Sequence, residues 1–253
     1  MFLHQLELSP EVRARDIVEL DHRTADVFKQ YGIPYCCGGQ FPLGQICDAN
    51  HIDINSLFTD LQKACYQQVV PARTDYSKWP VDFMIDYIVN IYHRHLFAAL
   101  PELDRSIADF IKKHGDKYPH FSELYQRFRL LTLSLPQHMQ QEEENIFPYL
   151  RQVAHAYQED ESHSFARLLI KTLGKPLTSQ VEEEHRMLSD SLILFRRLTK
   201  NYSAPQGACA SHKVLLGKLR DLDNHLAQHH HLENEILIPR VIAMEKELLE
   251  RNQ

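Results

Sequence analysis

His138-Met139-Gln140-Gln141-Glu142-Glu143-Glu144-Asn145-Ile146-Phe147-Pro148 and His229-His230-His231-Leu232-Glu233-Asn234-Glu235-Ile236-Leu237-Ile238-Pro239 are two copies of one pattern. In each, a histidine leads a glutamate by four residues. A second glutamate (Glu144, Glu235), an aliphatic residue (Ile146, Leu237) and a proline (Pro148, Pro239) follow at matched positions. A spacing of four puts histidine and glutamate on one helical face, one turn apart. A second histidine pair repeats at nearly the same offset, as His93-Arg94-His95-Leu96 and His185-Arg186-Met187-Leu188. The four histidines at 93, 138, 185 and 229 are each separated by one helix and its connection. Each of four helices therefore brings one imidazole to a common level, and two helices add a carboxylate. A single His-x-x-x-Glu is an ordinary exposed pair worth about 0.3 kcal/mol. A solvated face has no reason to repeat its partner spacing with matched flanks.

Working outward, the chain is expected to be all-α. Glycine is only 8 of 253 residues, about 3% against a usual ~7%, which disfavours turn-rich β architecture. A small helical domain is expected over 1–70, started by Ser9-Pro10-Glu11, interrupted by Gly32 and the turn Pro34-Tyr35-Cys36-Cys37-Gly38-Gly39, and closed by a helix that Asp53 caps. A linker over 71–80 lies between Pro71 and Pro80. An antiparallel four-helix bundle is expected over 81–253. Its helices are placed at about Val81–Lys113, Pro119–Ala154, Thr178–Lys200 and Ala208–Glu250, with a short extra helix at Ser162–Leu173 and a bend or break at Pro239.

Composition excludes several functions. The net charge of −6, with no Lys/Arg cluster, gives no footprint for nucleic acid. No apolar run approaches the roughly 18 residues of a membrane span, and no signal peptide is visible, so the chain reads as soluble and intracellular. Five cysteines without a secretion signal read as thiols rather than a disulfide framework.

The candidate metal ligands are thus His93, His138, Glu142, His185, His229 and Glu233. Imidazole suits iron, zinc and copper, and a carboxylate can bridge two cations while offsetting their charge. Two histidines per metal, two bridging glutamates and a solvent-derived bridge leave each metal an open position. His95, His230 and His231 adjoin ligands but are turned off their faces by about 100° per residue. Cys36 and Cys37 form the other candidate site. Adjacent Cα atoms lie about 3.8 Å apart, shorter than disulfide geometry favours, so the two suit transient binding of a soft ion or exchange with a partner thiol. A buried inert pair is the alternative. Cys47, Cys65 and Cys209 read as isolated and structural.

The two His-x-x-x-Glu repeats, followed by Phe147-Pro148 and Ile238-Pro239, resemble a hemerythrin-like bundle. Joined to a domain bearing Tyr35-Cys36-Cys37-Gly38-Gly39, the chain resembles the repair-of-iron-centres family over nearly its whole length. The resemblance implies a non-haem di-iron centre with oxo and carboxylate bridges, held by the six residues above, and a location in the bacterial cytoplasm. It implies repair of iron-sulfur clusters damaged by nitric oxide or oxidants, with damaged iron-sulfur proteins as partners and a homodimer left open. Two other functions remain: a hemerythrin-like carrier of O2 or NO, and a di-iron enzyme reducing nitric oxide or peroxide. The thiol domain favours repair, because a simple carrier has no need of it.

Overall fold

A computed structural model of the protein describes residues 8–36, 41–65, 74–158 and 185–250. Among these residues the structure is helical, with a single isolated bridge between Arg13 and Pro42. They divide into two compact units. One takes the described residues before Pro71 together with Thr199–Asp221; the other takes those up to Leu198 together with the chain from Leu222 onward. The sequence-based boundaries place Thr199–Asp221 with the bundle.

The first unit contains α1 (Ala14–Leu20), α2 (Thr24–Gln30), α3 (Leu43–Asn50) and α4 (Ile54–Cys65). The helix expected from Ser9-Pro10 begins later, at Ala14. Pro10 and Val12 are engaged elsewhere, since their carbonyls accept the N–H groups of Gly44 and Leu43. That pairing holds Arg13 extended and delays the helix. Gly44 fits closely there, since a Cβ would stand 3.0 Å from that of Pro10. Gly32 stops α2 as expected, with φ +67°, while Ile33 N–H bonds back to the Phe28 carbonyl. Asp53 caps α4, accepting the Ser56 N–H and hydroxyl on one oxygen. Ile17, Phe28, Leu43, Leu57 and Leu61 make the core, joined by Val214 from the later segment. Phe28 is fully buried. Replacing it with alanine is expected to cost about 3–5 kcal/mol, read as a lower denaturant midpoint with unchanged iron content.

Among the described residues, the second unit has four helical arms. The first comprises α5 (Val81–Tyr87), a wider π-helical stretch at Ile88–His93 and α6 (Arg94–His114). The second comprises α7 (His120–Gln141), a π stretch at Glu142–Ile146 and α8 (Phe147–Gln158). α9 covers 185–198. The last arm comprises α10 (Ala210–His231), which this unit shares from Leu222, a π stretch at Leu232–Leu237 and α11 (Ile238–Glu250). The expected short helix at Ser162–Leu173, and the third helix before 185, fall outside the described residues. Buried apolar residues three and four apart line the arms: Leu96, Leu100, Leu103 and Ile107 on α6, and Phe121, Leu124, Phe128 and Leu131 on α7. Before the first arm, Tyr76 and Trp79 pack edge-to-face at 4.8 Å and cover its core, so this end of the linker is structured.

Of the bend or break expected at Pro239, a break is absent, since helix resumes at Ile238. Proline removes an N–H and its ring crowds the carbonyl four residues back. At both Pro148 and Pro239 the widened stretch lies just upstream and absorbs that conflict. Among the described residues, no helix is long and apolar enough to cross a membrane.

Candidate metal centre

The three π stretches carry His93, Glu142 and Glu233. His138, His185 and His229 lie in α7, α9 and α10. All six side chains are buried, with residual exposure of 6% at His138 and 4% or less at the others. Their ligating atoms fall into two groups, His93/His229 and His138/His185, each completed by both glutamates, with every donor atom within 4.8 Å of the others in its group.

The carboxylates address both groups. Glu142 Oε1 stands 3.2 Å from Nε2 of His138, while its Oε2 stands 3.5 Å from Nε2 of His93. Glu233 Oε1 is 2.8 Å from Nε2 of His229, and its Oε2 is 3.5 Å from Nε2 of His185. One oxygen of each glutamate thus faces each histidine pair, as a carboxylate joining two cations requires.

The polar atoms fit a cation better than they fit one another. Nε2 of His93 faces Nε2 of His229 at 3.0 Å, and Nε2 of His138 faces Nε2 of His185 at 3.0 Å. Two facing imidazole nitrogens can share only one proton between two lone pairs. Glu142 Oε2 and Glu233 Oε2 are buried with no hydrogen-bond partner among the described residues. Buried carboxylate oxygens in that condition are costly unless a cation meets them. Nitrogen and carboxylate donors in this mixture suit iron.

Further residues orient the rings. Nδ1–H of His93 donates to Glu143 Oε1 at 2.8 Å, and Nδ1–H of His185 donates to Asn234 Oδ1 at 2.8 Å. Such partners leave Nε2 as the lone-pair nitrogen and fix its aim. Glu143 and Asn234 directly follow the two glutamates, so they repeat as the ligands do. The sequence signal existed but had no chemical spacing of its own to flag it. Phe147 stacks on His93 at 5.6 Å between ring centroids, and Tyr92 stacks on His229 at 5.7 Å.

The electrostatics follow from this crowding. Burial pulls the His93 and His185 imidazoles downward, but hydrogen bonds and charge from Glu233 and Glu142 outweigh it, and both are raised. Burial pushes Glu233 upward, yet the charges and close approach of His229, His93 and His185 hold it well below the usual carboxylate range. His230 is different: burial, reinforced by His185, pushes it down to about 3. It remains a neutral ring packed 4.4 Å from that of His185 and is not among the converging donors. His231 is exposed, and neither it nor His95 joins either group. A cavity of about 540 Å³, lined among the described residues by Leu131, Leu135, Gln137, Gln141 and Met187, opens onto His138.

Of the thiol pair, Cys36 lies in the first unit, and Cys37 falls outside the described residues. Cys47 is buried in the core of that unit. Cys65 is near Asp21 and Arg23, and its thiol is pushed up to about 12, chiefly by burial. Cys209 is not isolated: its sulfur is 3.2 Å from the Ser211 hydroxyl.

Comparison with known proteins matches both parts of the chain. Residues 84–241 match the hemerythrin HHE cation binding domain. Residues 13–65 match ScdA_N, a domain of unknown function. Among similar proteins, the iron-sulfur cluster repair protein YtfE of Escherichia coli is 28% identical over 223 residues, covering 88% of this chain and 93% of its own. YtfE of Salmonella typhimurium is 28% identical over 226 residues, with the same coverage. The iron-sulfur cluster repair protein ScdA of Staphylococcus haemolyticus is 26% identical over 214 residues, covering 85% and 90%. The chain belongs to the hemerythrin HHE cation-binding family, in the two-domain form of the repair-of-iron-centres proteins.

Proposed function

We propose that this protein repairs iron-sulfur clusters damaged by nitrosative or oxidative stress, and that it does so by supplying iron from a di-iron centre. In this reading His93 and His229 would hold one iron, His138 and His185 the other, and Glu142 and Glu233 would serve both. The observation that carries it is the even donor set: two imidazoles and one oxygen from each of two carboxylates per cation. A sparse, balanced set leaves positions open for ligand exchange, which suits a store that gives up its metal. The names of the relatives, and the thiol-bearing first unit that a carrier would not need, support the same choice. The partners are iron-sulfur proteins with damaged clusters, and the place of action is the cytoplasm.

Bound there, the iron pair supplies a charge that changes with oxidation state, while the chain supplies a fixed environment. Glu142 and Glu233 contribute two negative charges in a buried core, where attraction to a cation is far stronger than in water. Glu143 and Asn234 keep the His93 and His185 rings aimed. Because the carboxylate charge is constant, the chain would hold ferrous iron less tightly than ferric iron. The reduced protein should therefore yield iron to a moderate chelator markedly faster than the oxidised protein, followed by the colour of the chelate. Reduced protein that retains both irons and binds dioxygen reversibly would establish the carrier reading instead.

A further inference from the structure

The first unit brings together thiols that the di-iron centre does not use. Cys36 lies half-buried in the turn after Pro34-Tyr35, and Cys209 immediately precedes α10. The sulfur of Cys36 is 3.6 Å from the Ser211 hydroxyl oxygen, and the sulfur of Cys209 is 3.2 Å from the same atom. Two sulfurs distant in sequence thus share one hydroxyl. The Tyr35 phenol marks the same spot: burial raises its ionisation to about 12, and both thiols, with Asp26, add to the rise. The start of α10 is anchored, since the Cys209 carbonyl accepts the N–H groups of His212 and Lys213. Cys209 and Ser211 are therefore set on one rigid turn, and Cys36 meets them from the other side.

The Cys36 separation is that of sulfur and oxygen donors on one metal ion, and the Cys209 separation lies a few tenths of an ångström inside it. In a tetrahedral site, with metal–sulfur bonds of about 2.3 Å and metal–oxygen bonds of about 2.1 Å, sulfur and oxygen donors stand about 3.6 Å apart. We propose that Cys36, Cys209 and Ser211 form a second cation site, of thiolate type, for a thiophilic divalent metal ion. On binding, the two thiols release their protons to solvent, so two thiolates balance a dication. The hydroxyl takes the third corner, and the fourth stays open to an incoming donor atom. That geometry suits transfer rather than storage. Its use as a way station for ferrous iron rests on the proposed repair function; the existence of the site does not.

The test uses full-length protein with its bundle site loaded with iron, its thiols reduced, and cobalt(II) as the probe. A sulfur-to-cobalt charge-transfer band in the near ultraviolet should saturate at one equivalent. It should vanish in Cys36→Ser and in Cys209→Ser. Ser211→Ala should keep the band with affinity lower by about tenfold, a factor typical of losing a supporting metal contact. Cys65→Ser should behave as the parent. A band that survives Cys209→Ser overturns the site, as does reduced parent protein that shows no band. Iron transfer to an apo-cluster acceptor by Cys209→Ser separates the two readings. Slower transfer, with the cobalt band present in the parent, supports both. Unchanged transfer with that band present upholds the site and removes it from delivery. Intact transfer without any band overturns the site and leaves cluster repair standing.

Discussion

Replacing Glu142 and Glu233 together with glutamine is expected to abolish the paired iron centre. Each carboxylate turns one oxygen toward each histidine pair, at 3.2 and 3.5 Å for Glu142 and at 2.8 and 3.5 Å for Glu233. Glutamine keeps the volume but removes the charge and supplies only one oxygen. Four neutral imidazoles would then face two multiply charged cations in a buried core. Stranding a buried charge by removing its partner costs about 3–5 kcal/mol, or a factor of about 10²–10³ or more per carboxylate. Iron per chain should fall below what survives gel filtration, and Mössbauer spectra should show no coupled pair. A double variant that keeps two coupled irons would refute the assignment of the bridging residues.

The second large effect is on stability. Removing the iron takes away the cation that the facing imidazole nitrogens and the buried carboxylate oxygens would share. A metal that binds the folded chain alone stabilises it by about 2.7 kcal/mol when free metal is a hundredfold above Kd. For a chain of this size that corresponds to about 5–10 °C in melting temperature. Loading the stripped protein should raise its melting temperature by that amount, and loading the double glutamine variant should raise it far less. An equal rise in the variant would show that the cation binds elsewhere.

The helical fold and the converging donors were legible because both depend on spacing within a segment. His138 to Glu142 and His229 to Glu233 each span one helical turn, and the repeat singled them out from the sixteen histidines. What escaped sequence reading depends on contacts between distant segments. Ser9-Pro10 looks like a helix start, but the carbonyls of Pro10 and Val12 are taken by Gly44 and Leu43. Pro239 looks like a bend or break, but the helix continues past it, and the turn before it widens into the stretch that carries Glu233. The roles of Glu143 and Asn234 appear only once the rings they orient are located. Cys36 meets Ser211 across 175 residues, and no local pattern announces such a meeting.

The most direct measurement follows the metal itself. The protein is loaded with isotopically labelled iron, reduced, and mixed with an iron-sulfur protein whose cluster has been destroyed by nitric oxide. The target is then re-isolated and examined by Mössbauer spectroscopy. The labelled iron should appear in a rebuilt cluster, at a rate that falls when Glu142 and Glu233 are both replaced. A cluster rebuilt without the label, or label retained by this protein while the target stays damaged, would contradict iron supply as its function.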